Sequence, residues 1–139
     1  MTLFMSCFCL LFAGKLSSAW DNQHIITGQV FHVLGSTIGL PRNSYFLVEI
    51  DDATVKTPLR TFAVHVSRAN VFPVMFNISY VVTNVIYGHT YMINAKIFNE
   101  FHELLFQNDK FIEVKLLGRG RTQFIDIPVC SILRTKSIS

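Results

Sequence analysis

Phe72-Pro-Val-Met-Phe-Asn-Ile-Ser-Tyr80 and Thr90-Tyr-Met-Ile-Asn-Ala-Lys-Ile-Phe98 are the stretches whose reading decides the fold. In the first, Phe72, Val74, Phe76, Ile78 and Tyr80 alternate with Pro73, Met75, Asn77 and Ser79. In the second, Tyr91, Ile93, Ala95 and Ile97 alternate with Met92, Asn94, Lys96 and Phe98. A period of two marks a strand with one face in a core, because successive side chains point to opposite sides of a sheet. Pro73 lacks an amide hydrogen and so belongs at the start of a strand or on an edge. Residues 103–106 make a third strand, reached through the polar hairpin residues 99–102.

The same period continues on both sides of this centre. Residues 25–32 set Ile26, Val30 and His32 against Ile25, Thr27, Gln29 and Phe31, with Gly28 inside the strand, where a glycine signals a bulge or a close backbone approach. Residues 45–51 point Phe46, Val48 and Ile50 one way. In residues 61–68, Phe62, Val64 and Val66 form one face and Thr61, Ala63 and His65 the other. Ile112, Val114 and Leu116 form a further strand, and residues 124–129 the last. Between them lie breakers: Gly35, Gly39 and Pro41; Asp51, Asp52, Thr54, Thr57 and Pro58; and Gly118-Arg-Gly-Arg121. No stretch after the N-terminal segment keeps a period of 3.6, so the expected fold is all-β. It is an antiparallel β-sandwich or small barrel of seven to eight short strands, one domain over residues 20–133 with a polar tail at 134–139.

Residues 1–19 read as a secretory signal peptide. Residues 3–13 are an apolar run too short to span a membrane, and Ser17-x-Ala19 supplies the small residues of a cleavage site before Trp20. Cys7 and Cys9 lie inside this segment behind Ser6 and Phe8, without the pattern of a lipid-attachment site, so no stable membrane anchor is expected. Cys130 then stands alone in the mature chain: no internal disulfide can form, and the apolar half of the composition must supply the stability. The lone thiol either packs or pairs between molecules. A net charge of +3 over 139 residues, without a basic stripe, excludes a nucleic-acid partner.

These residues resemble the YbaY-like family, which includes bacterial envelope lipoproteins and the type III secretion lipoprotein chaperones, or pilotins, of YscW type. The pattern runs through Thr27-Gly-Gln-Val30, Leu40-Pro41, Val48-Glu-Ile-Asp-Asp-Ala-Thr54 and Pro58, is densest in 72–80 and 91–97, and ends in Leu104-Leu-Phe106 with Asn108-Asp109. The resemblance implies a compact β-sandwich without catalytic activity, exported to an envelope or extracellular space. In the pilotin branch it also implies binding and escorting another secreted protein.

Motifs of chemistry are few. Asn77-Ile-Ser79 is the one N-x-[ST] sequon, with Asn77 on the outward side of its strand. His24, His32, His65, His89 and His102 fall on different segments without metal-ligand spacing, which points to surface histidines, and no metal or cofactor is expected. Glu49, Asp51 and Asp52 suit a strand end and its turn better than a calcium loop. No nucleophile elbow or Cys-His signature is present, so no catalytic residues are assigned. The outward residues Met75, Met92, Asn94, Lys96 and Phe98 are the candidate binding face. The expected function is a secreted, non-enzymatic module that binds an unknown secreted or envelope protein, with a carrier of small apolar ligands or lipids inside a barrel as the alternative.

Overall fold

The computed structural model describes residues 22–35, 39–54 and 60–132; the proposed signal segment with its Ala19/Trp20 cleavage site, Pro58 and the 134–139 tail lie outside them. Eight strands run in order: β1 (Gln23–His32), β2 (Tyr45–Asp52), β3 (Arg60–Arg68), β4 (Val74–Val81), β5 (Tyr91–Phe98), β6 (Leu104–Gln107), β7 (Ile112–Val114) and β8 (Phe124–Ser131). They join in the order β3-β2-β5-β6-β8-β1-β4, with β7 also on β5, and curl into a nearly closed barrel. β3 and β4 approach across the seam without a ladder between them. There Phe62 packs against Tyr80 and Tyr91, with ring centroids 6.0 and 5.0 Å away.

The all-β fold is as the alternation implied, and the quoted stretches behave as read. Along β4 and β5 the residues Val74, Phe76, Ile78 and Tyr80, and Tyr91, Ile93, Ala95 and Ile97, are all buried. Pro73 precedes β4, whose other edge has no ladder partner among the described strands, so its missing amide hydrogen costs no sheet bond. One pairing departs from the antiparallel rule: β1 and β8 run parallel from Thr27↔Phe124 to His32↔Val129. Parallel neighbours need a long crossover, and here the whole barrel is that crossover.

Gly28 marks a close approach. It faces Ile125 on β8 and Phe76 on β4, and a Cβ there would meet the Ile125 carbonyl oxygen and come within 2.8 Å of the Phe76 ring.

β3 corrects the sequence reading. Ile50 pairs with Ala63 but Asp51 with Thr61, so Phe62 is an extra residue that bulges the strand. A bulge reverses the phase of the strand residues beyond it. Phe62 turns inward, and His65 reaches the Phe46 ring at 5.6 Å. Val64 and Val66, expected from alternation on Phe62's face, instead stand outside at 55% and 58% exposure.

A second correction concerns His32, which is buried rather than on the surface. It lies on the inward phase of β1, its ring 5.7 Å from Phe72 and 5.6 Å from Phe106, and its Nδ1 accepts the Leu34 N–H at 3.3 Å. Cys130 is half-buried, its Sγ 3.5 Å from the Gln107 carbonyl. Phe46, Phe72, Ile26, Ile50, Ile78, Ile93, Ile97 and Ile127 fill the barrel centre, so the interior is packed core, which disfavours the ligand-carrier alternative.

Candidate functional site

A groove lies outside the barrel, on the face formed by β3, β2 and β5. Its origin is an interruption on one edge of β5. β6 pairs with residues 96–98 and β7 with residues 91–93 on that same edge, so residues 108–111 must leave the sheet between them. Asn108 fills the gap: its Oδ1 accepts the Ala95 N–H at 2.8 Å, taking the place of a ladder bond. Its Nδ2 donates to Asn94 Oδ1 at 3.2 Å and to the Lys110 carbonyl at 2.9 Å. The loop is thereby held upright as a wall, with Phe111 at its crest 77% exposed.

Between this wall and Thr61 of β3 runs a groove of about 510 Å³, floored by Glu49, Asp51, Asn94 and Lys96 and walled by residues 107–111. Register explains the floor. Glu49 lies opposite both Val64 and Asn94, Leu47 opposite Val66 and Lys96, and Asp51 opposite Met92. The outer face therefore reads as an apolar shelf on β3, a charged row on β2 and β5, and an aromatic crest beyond.

The charged row is not at rest. Asp51 is only 4% exposed and accepts the Asn94 Nδ2–H at 3.2 Å; Lys96 Nζ stands 3.9 Å from Glu49. Burial first, and then the charge of Asp51, raise the Glu49 carboxyl above its ordinary range, with Lys96 pulling it back in part. A carboxyl raised in the fold opposes folding when ionised, and that penalty disappears as the pH falls through its folded pKa.

Asp52, one residue on, is the opposite case. It points to the barrel end, accepts the Thr54 N–H at 3.0 Å and meets His89 Nδ1 at 2.7 Å, while Thr54 Oγ1 takes the Thr90 N–H at 2.8 Å. Burial pushes its carboxyl up, but the His89 and Thr54 hydrogen bonds and the His89 and Arg60 charges outweigh this and hold it below the usual range. A carboxyl lowered in the fold stabilises above the ordinary value near about pH 3.9 and loses that contribution as the pH falls through the folded value. Asp52→Asn is thus expected to lower stability by about 2 kcal/mol at pH 7. In denaturant titrations its difference from wild type should shrink on acidification; a difference that stayed constant down to about pH 2.5 would contradict the assignment.

Of the residues singled out from the sequence, Met92, Asn94, Lys96 and Phe98 lie together on the outside of β5. Phe98 stacks on Tyr45 at 5.2 Å, and the Tyr45 hydroxyl meets His102 Nδ1 at 2.8 Å. Met75 and Asn77 stand on β4, which is not a neighbour of β5 in the sheet. Sequence reasoning missed Val64, Val66, Asn108 and Phe111. The first two are hidden by the bulge, whereas the Asn108-Asp109 turn was visible as a turn without its role. Gly118-Arg-Gly-Arg121 closes as a turn, the Arg121 N–H donating to the Gly118 carbonyl at 3.3 Å. Among the described residues no three His, Cys, Asp or Glu side chains converge as a metal site, and no helix is long and apolar enough to cross a membrane.

Fold and groove together define a small β-barrel with a filled interior and an external groove. Comparison with known proteins places it further. The type III secretion system lipoprotein chaperone family, YscW, matches residues 21–127, and the chain belongs to that family. The solved structure of an alternative pilotin from the type II secretion system of Vibrio cholerae shares its fold, with a TM-score of 0.69 at 23% identity over 79% of this chain and 97% of that one. No curated protein matches it.

Proposed function

We propose that the chain is an exported, non-enzymatic, chaperone-like module that holds a segment of another secreted or envelope protein in the β3-β2-β5 groove. The observation that carries this reading is the groove itself, where exposed Phe111 stands across from Glu49 and Asp51, with exposed Val64 and Val66 on the same outer face. Membership of a chaperone family and the pilotin fold support it. The chemistry of the groove suits a partner segment with apolar side chains flanking a basic one. A guanidinium or ammonium beside Glu49, Asp51 and Asp109, which share the groove with Lys96 and Lys110, would pair with carboxylates that burial and mutual charge now disfavour, and an apolar neighbour would cover Phe111.

The test is recovery of a stoichiometric partner from secretions by the tagged full-length product, repeated with groove variants. Asn94→Arg, which places a like cation where the partner's would sit, should weaken recovery by at least about tenfold, or 1.4 kcal/mol. Glu49→Gln should weaken it too while leaving stability equal or higher at neutral pH. Ile25→Thr, on the outside of β1, should change nothing. Equal recovery by all four proteins would remove the groove from the proposal.

A further inference from the structure

Opposite the groove, the outer face of β8, β1 and β4 presents an arrangement that partner binding does not use. We propose that Asn77 carries an N-linked glycan whose first sugars lie on a platform made by Met75, Thr27 and Phe124; this rests on the proposed export. Asn77 and Ser79, the two sequon residues that a transferring enzyme must reach, are both exposed and share the outward side of β4. Thr27 sits directly opposite Asn77 on β1 and donates its hydroxyl to Asn77 Oδ1 at 3.0 Å. That bond uses the carbonyl oxygen and leaves the amide nitrogen, the atom to which a sugar is joined, without a hydrogen-bond partner among the described residues.

The surroundings fit a sugar. Met75, 64% exposed, is two residues along the same face. Phe124, 77% exposed, lies opposite Thr27 on β8, two strand spacings or about 10 Å from Asn77. Ile25, also exposed, lies opposite Ser79. Three large apolar side chains around one asparagine are more than a solvated strand face calls for. A pyranose ring has one apolar face of C–H groups that packs on such side chains, in the way an aromatic ring stacks on aliphatic carbon.

In the transfer, the Asn77 amide nitrogen bonds to the anomeric carbon of the first sugar as that carbon's bond to a lipid-linked diphosphate breaks. The diphosphate leaves with the bonding electrons, and the amide proton passes to a base of the transferring enzyme. The co-reactant is a lipid-diphosphate oligosaccharide.

The experiment is intact-mass measurement of the full chain secreted from eukaryotic cells, before and after peptide N-glycosidase, for wild type, Asn77→Gln, Ser79→Ala and Phe124→Ser. The expected wild-type product begins at Trp20, carries the mass of one oligosaccharide and loses it to the glycosidase. Asn77→Gln and Ser79→Ala carry none, and the second keeps the asparagine in case its loss impairs folding. Removing the sugar should lower Tm by about 3 °C in wild type and by less in Phe124→Ser. A product that begins at Trp20 without added mass overturns the glycan and leaves export standing, whereas one that retains residues 1–19 overturns export itself. A glycosylated product whose Tm ignores the glycosidase overturns the platform.

Discussion

Replacing Gly28 by alanine is expected to destabilise the protein by more than about 4 kcal/mol, a large share of the about 5–15 kcal/mol that holds an ordinary domain folded. Two effects compete. Strand propensity alone favours alanine over glycine by about 0.5–1 kcal/mol, because glycine loses more backbone freedom on folding. Against it stands the position of the new methyl group, which would overlap the Ile125 backbone carbonyl of β8 and lie 2.8 Å from Phe76 Cζ. A flexible side chain could yield, but a carbonyl held in the β1–β8 ladder cannot move without parting the parallel pair that joins the first described strand to the last. The steric term therefore wins several times over. Gly120→Ala, where a Cβ meets nothing within 4 Å, should stay within about 0.5 kcal/mol of wild type by urea titration. Phe76→Leu added to Gly28→Ala separates the two obstacles: little recovery is expected, and a large one would mean that the ring, not the carbonyl, sets the requirement for glycine.

How far such requirements can be read beforehand depends on where they arise. In β4 and β5 every inward position carries an apolar residue or a satisfied tyrosine, so alternation, burial and pairing agree and the strands are legible from sequence. Gly28 was legible as a close approach but not as an approach to Ile125, since the parallel meeting of two strands so far apart in the chain leaves no local trace. β3 shows the complementary failure. Its alternation is as regular as that of β5, yet a single bulged residue at Phe62 reverses the faces, and bulges have no residue signature in this stretch. The groove was half legible for the same reason. Asn94 and Lys96 follow from the period of β5, whereas Asn108 acts only because β6 and β7 share one edge of β5, a relation set by tertiary pairing.

Phe72→Ala is expected to cost about 4 kcal/mol and to leave partner binding intact wherever the variant is folded. Phe72 is buried to 1% exposure just before β4, and its ring meets Phe106 edge-on at 5.0 Å and His32 at 5.7 Å, the latter two 5.6 Å apart. Truncation removes a whole ring from this three-way contact, and neighbours held on β1 and β6 cannot collapse into the space, so the cavity penalty adds to the lost burial. It also strips one wall from a buried imidazole whose Nδ1 is held by the Leu34 N–H, so Phe72→Leu, which restores most of the volume, should recover more than half of the loss. Because the three rings share one cavity, Phe72→Ala with Phe106→Ala should cost less than the two changes added. Set beside Asn94→Arg, the result separates the two parts of the molecule. The core variant should lose midpoint in urea at constant m while its folded fraction binds normally, and the groove variant, though it also loses the Asn94 bonds to Asp51 and Asn108, should lose the partner even in its folded fraction. A core variant that lost binding in its folded fraction would mean that the packing of the barrel end and the shape of the groove are coupled, and the groove could no longer be treated as a surface carried by an independent scaffold.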